Sequence, residues 1–254
     1  MQDDKKGASS LMEDLKGILE PVMGNVKMWE NARFVLADVP LHPSEVKKIL
    51  PFGMWPAEPA VATLFITDYT KTSFTVPYKE AALLVHVRTP LGKGLHCPWM
   101  IVDDDTGLIY GRELLGYPKK SGRFTFEEDD DKVTASVSRR GIEVMRIEAR
   151  RKEREDTPRP VFDFKTFNAG GPGQFFAIQP IWLFRPKEVI QESWSVEAKV
   201  TLRESEADPI AKLMSGPPLT ARFVVMDILG SRYNLPVGVA GIRWFVNTYN
   251  LRFR

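Results

Sequence analysis

Between residues 61 and 102 the chain carries four runs dominated by β-branched, aromatic and other large apolar side chains, at 61–67, 74–78, 81–88 and 95–102, with turn-forming residues between them. Runs of this length and composition read as strands. Similar runs stand at 33–38, 123–128, 133–139, 142–150, 174–184, 193–203 and 221–229. The pair 133–139 and 142–150 is joined at Arg140-Gly141 and reads as a hairpin. The pattern predicts a mainly β chain, α+β in detail, with a few short helices. At 254 residues it is long enough for one large domain or two small ones, and no Pro/Ser/Gly-rich stretch divides it. One domain over 29–254 is expected, preceded by an N-terminal tail and amphipathic helix within 1–28. That helix is signalled by Ser10 and Glu13 at capping-box spacing, by Leu11, Leu15, Ile18, Leu19 and Val22, and by Gly24 beyond them.

Shorter elements follow from local chemistry. Residues 43–50 predict a helix stopped by Pro51. The loop 51–59 carries Phe52, Met54 and Trp55 between prolines; it reads either as a flap tucked over the core or as a wall of a pocket. Residues 103–107 lack the ligand spacing of a calcium loop and read as a hairpin turn. The glycine-rich 168–173 lacks the lysine of a phosphate loop and reads as a turn. Asp208-Pro209 predicts the start of a short helix to Met214, and 241–254 a packed last strand.

Charge excludes several classes of function. With 35 basic and 33 acidic residues, the chain has no general attraction for nucleic acid or an anionic membrane. Nowhere do about 18 apolar residues run together, so no membrane-spanning helix is expected. The polar start is unlike a secretory signal, and Cys97 is the only cysteine; both fit a cytoplasmic protein without disulfides. The histidines and Cys97 do not form a zinc-ligand set, and no hydrolase elbow occurs.

The segment from Gly111 to Lys120, Gly-Arg-Glu-Leu-Leu-Gly-Tyr-Pro-Lys-Lys, is unusual in placing two lysines behind apolar residues. Apolar surroundings disfavour an ammonium and favour the free amine, which can attack a carbonyl to form a Schiff base. This segment resembles the signature of the acetoacetate decarboxylase family: Gly-Arg-Glu, a spacer, a small residue, an aromatic, then Pro-Lys-Lys. Tyr78-Lys79-Glu80 resembles the family's Tyr-x-Glu, and Arg33 falls near its active-site arginine. The resemblance runs from about 33 to 239. It implies a barrel-like antiparallel fold and a homo-oligomer. It implies cofactor-free decarboxylation of a small keto acid, acetoacetate first, with Lys119 as the imine-forming residue and Glu80, Arg33 and Lys120 around it. Arg112 and Glu113 are expected to tie the lysine strand in place.

Two rival readings follow from the same residues. One keeps the imine and changes the reaction to an aldol or dehydration step. The other is a barrel that binds a small ligand without catalysis.

An exposed lysine titrates near 10.4, so only about one in 2,500 is neutral at pH 7. Lowering it by about 3–4 units corresponds to roughly 4–5 kcal/mol. A second ammonium about 6 Å away at an effective dielectric of 20 supplies roughly 3 kcal/mol. Neighbours on a strand point to opposite faces, so Lys120 is expected to turn away into water, leaving burial as the larger influence on Lys119.

Overall fold

The computed structural model describes residues 26–162 and 165–254. The helix expected within 1–28 lies outside the described residues. In chain order the elements are β1 (Lys27–Pro40), α1 (Pro43–Ile49), β2 (Trp55–Pro56), β3 (Val61–Tyr69), β4 (Lys71–Thr72), β5 (Tyr78–Thr89), β6 (Gly92–Val102), α2 (Asp105–Glu113), β7 (Lys119–Ser121), β8 (Arg123–Glu128), β9 (Lys132–Arg139), β10 (Ile142–Arg154), β11 (Lys165–Ala169), β12 (Gln179–Leu202), a 3-10 turn (Ala211–Leu213), β13 (Thr220–Ala240) and α3 (Ile242–Arg252).

The strands pair in the order β11-β6-β5-β3-β1-β13-β12, and β12 returns to β11, which closes a ring. All these pairings are antiparallel except β11 with β6. The beginning of β12 pairs with β11 inside the ring, whereas its end pairs with β10 and leads out to β9 and β8. The barrel-like expectation therefore holds for the ring, and an open extension departs from it.

Two apolar clusters explain the unbroken hydrophobic runs of β3, β5 and β6. Phe34, Phe65, Leu84 and Met100 point into the ring. Val35, Leu64, Leu83 and Ile101 point outwards, against Val133, Val137 and Ile147 of the extension. Strands covered on both faces lose the apolar/polar alternation of a half-exposed sheet.

Several segments differ from expectation. Residues 74–77 lie in a bend and β5 begins only at Tyr78, while 174–178 form a turn and β12 begins only at Gln179. Residues 103–107 form no hairpin: Asp104 caps α2, its carboxylate accepting from the Gly107 N–H at 2.6 Å. An acidic cluster before a helix satisfies its free N–H groups, so the turn signal was a cap. The final segment is helical, not a strand. Trp244, Thr248 and Leu251 fall on one face of α3 and are buried, and the Trp244 indole donates to the Ile49 carbonyl at 2.9 Å. Of the three large apolar residues in the loop 51–59, only Met54 is buried, together with Pro51 at the loop's start. Phe52 is 96% exposed, and Trp55 pairs with Arg88 at the end of β5 remote from Glu80. The loop therefore rests on the core through Pro51 and Met54 and contributes no wall to the cavity around Lys119.

Candidate active site

Alternation along β5 places Tyr78, Glu80, Ala82 and Leu84 on the inner face of the ring. The short strand β7 runs parallel beside β6, with Lys119 opposite Met100 and Lys120 opposite Ile101. Met100 belongs to the inner cluster and Ile101 to the outer one, so the two lysines diverge. Lys119 Nζ lies 2.7 Å from Glu80 Oε2, and both side chains are about nine-tenths or more buried, at 5% and 6% exposure. The ammonium also stands 5.5 Å from the centre of the Tyr78 ring. Tyr69 donates from its hydroxyl to the other Glu80 oxygen at 3.3 Å. Burial first, and then the Glu80 charge, holds the Tyr69 phenol well above its ordinary range, so it remains a donor.

These groups open onto a cavity of about 40 Å³ whose walls include Trp29, Tyr110, Leu115, Tyr117, Phe162 and Phe184. Its walls are mostly aromatic and aliphatic, with one ion pair set among them. A buried pair in such surroundings has little water to stabilise its charges.

The Gly-Arg-Glu segment forms the end of α2 and packs on the lysine. A Cβ on Gly111 would stand 2.3 Å from Lys119 Cε, so the absence of a side chain there makes room for the lysine stem. Arg112 donates through Nη1 to the Lys119 carbonyl at 3.0 Å and to the Arg252 carbonyl at 3.2 Å. It thereby ties β7 to the end of α3. Glu113 is exposed and contributes no comparable bond to β7 among the described contacts.

Lys120 turns away from the cavity, as alternation requires, but it does not reach water. Its Nζ donates to Asp208 at 2.5 Å, to the Ala207 carbonyl at 2.9 Å and to the Asn250 carbonyl at 3.0 Å. Asp208 also accepts from the Trp99 indole at 2.8 Å and pairs with Arg139 at 3.2 Å. Burial lowers Lys120 to about 8, against the opposing pull of Asp208.

The family model described as "Acetoacetate decarboxylase (ADC)" matches residues 19–234. The chain belongs to the acetoacetate decarboxylase family. A curated acetoacetate decarboxylase of Chromobacterium violaceum is 30% identical over 107 residues, covering 42% of this chain and 43% of that protein. The matched stretch thus spans less than half of the relative. Among solved structures, an acetoacetate decarboxylase of Legionella pneumophila aligns with a TM-score of 0.74 and 16% identity, covering 83% of this chain and 86% of that one. The enduracididine biosynthesis enzyme MppR, complexed with pyruvate, aligns with a TM-score of 0.67 and 13% identity over 81% and 88% of the two chains. At these identities the structural likeness speaks for the fold.

For this acetoacetate decarboxylase family member, the structure brings together two of the four residues singled out from sequence, Lys119 and Glu80. Lys120 sits behind them in the Asp208 cluster. Arg33 is elsewhere: it lies on the outer face of β1, 45% exposed, paired with Glu128 at 2.8 Å. A bulge at Asn31, whose φ is +51°, sets Trp29 and Ala32 on the inner side, and Phe34 follows by alternation. The position facing the cavity region is therefore Ala32, not Arg33. Asp208 was read only as a helix start; its bond to Lys120 crosses 88 positions, and no local pattern announces it. Tyr69 carries no such signal, because the apolar run ends at 67 while the strand continues through Tyr69.

Proposed function

We propose that this chain is a cofactor-free Schiff-base enzyme that decarboxylates a small β-keto acid through Lys119, acetoacetate being the first candidate. The observation that carries the reading is the buried contact of 2.7 Å between Lys119 Nζ and Glu80 in an apolar cavity. The Lys119 proton passes to Glu80, and the amine attacks the keto carbon. Water leaves and a protonated imine remains. The bond to the carboxylate then breaks, carbon dioxide departs, and its electron pair enters the iminium to give an enamine. Protonation at carbon and hydrolysis return the ketone and the free lysine. Glu80 receives and returns the proton, held by Tyr69, and its charge disfavours a substrate carboxylate beside it until that carboxylate is lost.

Imine-based aldol or dehydration chemistry is the second reading. It uses the same Lys119, the only cation among the described lining residues. MppR, similar in fold, is complexed with pyruvate, a keto acid lacking a β-keto group. Two measurements separate the readings. Borohydride in the presence of acetoacetate should fix an adduct on Lys119, located by peptide mass. Carbon dioxide release should accompany turnover. An adduct without gas release favours the aldol reading; no adduct on Lys119 leaves a ligand-binding barrel.

Self-association belongs to the same proposal. Phe176 stacks on Phe245, which also meets Tyr249 and Phe253, while Ile242 and Val246 are each 65% exposed. An apolar face of this kind suits burial against a second copy. Sedimentation of the native chain and of Val246→Glu tests it, with a smaller species expected for the variant.

A further inference from the structure

Three tyrosines line the cavity beside Lys119, and two of their hydroxyls have company. Tyr69 donates to Glu80. The Tyr117 hydroxyl lies against the side chains of Asn168 and Thr166. The Tyr110 hydroxyl is buried and has no hydrogen-bond partner among the described residues. A buried hydroxyl without a partner forfeits roughly 1–3 kcal/mol, so a residue kept there points to a bond made with something else.

The placement of Tyr110 supports that role. It immediately precedes Gly111, whose α-carbon packs against the Lys119 stem, so the phenol and the amine approach the cavity from adjacent positions. Its ring is stacked on Phe74 at 4.7 Å and 26°, and Phe74 in turn meets the Trp29 ring edge-on at 5.4 Å. The phenol is therefore held on a fixed aromatic base. Burial raises its ionisation to about 12, which keeps the proton available for donation at neutral pH.

No arginine or second lysine lines the cavity among the described residues, so a bound keto acid lacks a cation for its carboxylate once Lys119 is committed to the imine. We propose that the Tyr110 hydroxyl is the group that receives the substrate carboxylate, donating a hydrogen bond to it while Lys119 holds the keto carbon. This inference rests on the keto-acid reading of the cavity. A neutral donor suits a carboxylate that must later leave as neutral carbon dioxide, because a full countercharge would stabilise the ground state more than the transition state. Tyr110 is thus assigned to substrate binding and specificity.

The test uses two ketones of equal length. Levulinate carries a carboxylate, and pentan-2-one replaces it with a methyl group; neither loses carbon dioxide through an imine. Half-saturating concentrations for borohydride trapping on Lys119 are measured in the native protein and in Tyr110→Phe, which keeps the ring stacked on Phe74. Loss of one bond to a charged acceptor predicts a rise of roughly ten-fold for levulinate, with pentan-2-one unchanged within about two-fold. Equal shifts for both ketones, or none for levulinate, would overturn the assignment of Tyr110 and leave the Schiff-base reading intact. Failure of the native protein to trap either ketone would instead remove the reading on which the assignment rests.

Discussion

The α-carbon of Gly111 occupies the space against which the side chain of Lys119 lies: a Cβ there would stand 2.3 Å from Cε, 2.5 Å from Cδ and 2.9 Å from Nζ. The atoms in conflict belong to the far end of a flexible side chain, so an added methyl group would displace the lysine rather than the backbone. Gly111→Ala is therefore expected to keep the fold, alanine favouring the helix over glycine, with a stability loss set by how far the buried Lys119–Glu80 pair is pulled apart and no larger than the ~3–5 kcal/mol of a broken buried pair. Its yield of Lys119 adduct and its turnover should fall by roughly a hundred-fold, the usual consequence of misplacing a reacting atom by about an ångström. Paired measurements of melting and of borohydride trapping check this; a normal adduct yield would show that the lysine has another path into the cavity.

Asp208 joins Lys120, Arg139 and the Trp99 indole in a buried cluster. Removing its charge strands two cations away from water. Asp208→Asn is expected to lose about 3–5 kcal/mol of stability, the range found when one partner of a buried ion pair is removed. Urea denaturation measures it directly, and a loss below about 1 kcal/mol would mean that Lys120 and Arg139 find solvent or another partner.

His96 should make the protein acid-sensitive. Its Nδ1 lies 2.8 Å from the Phe167 carbonyl, its Nε2 is buried without a partner among the described residues, and burial lowers its pKa from 6.5 to about 4. Between these values the unfolded chain binds a proton that the folded chain refuses. Stability therefore falls as pH drops from 6.5 towards 4, by about 3 kcal/mol from this group. Denaturation midpoints across that interval should flatten in His96→Asn, which retains a donor for Phe167. An unchanged slope would move the effect to other groups.

Arg33 pairs with Glu128 at a half-exposed site on the outside of the ring. Arg33→Ala should change stability by less than about 1 kcal/mol and leave kcat/KM within about two-fold. A tenfold rise in KM at unchanged stability would return Arg33 to the substrate.

Legibility from sequence divided along physical lines. Most strands of the ring were visible because β-branched and aromatic residues fill both faces, whereas the five-residue β11 was not, running into the glycine-rich turn that follows it; Lys119 and Glu80 were visible because the resemblance is carried by contiguous residues. Arg33 lies outside the cavity because the bulge at Asn31 changes which residues face inwards, and strand alternation amplifies a shift of one position into a change of side. Helix α2 was hidden by Gly107 and Gly111, both poor helix formers, yet both buried, against Tyr78 and Lys119 respectively. Helix α3 did announce itself at Trp244, Thr248 and Leu251, but its aromatic content suggested a strand. Tyr110 carries no signal in the chain, since an unsatisfied hydroxyl is a property of its surroundings alone.

Lys120 reaches Asp208, 88 positions downstream, and the Asn250 carbonyl, 130 positions downstream. During synthesis, then, the three-residue strand bearing Lys119 leaves the ribosome long before its anchors do. A prematurely terminated product ending ahead of α3 would contain every residue of the motif and still lack the Asn250 and Arg252 carbonyls that complete the hold on Lys120 and Arg112, so possession of the motif and possession of a fully anchored amine are acquired at different moments in the life of the polypeptide.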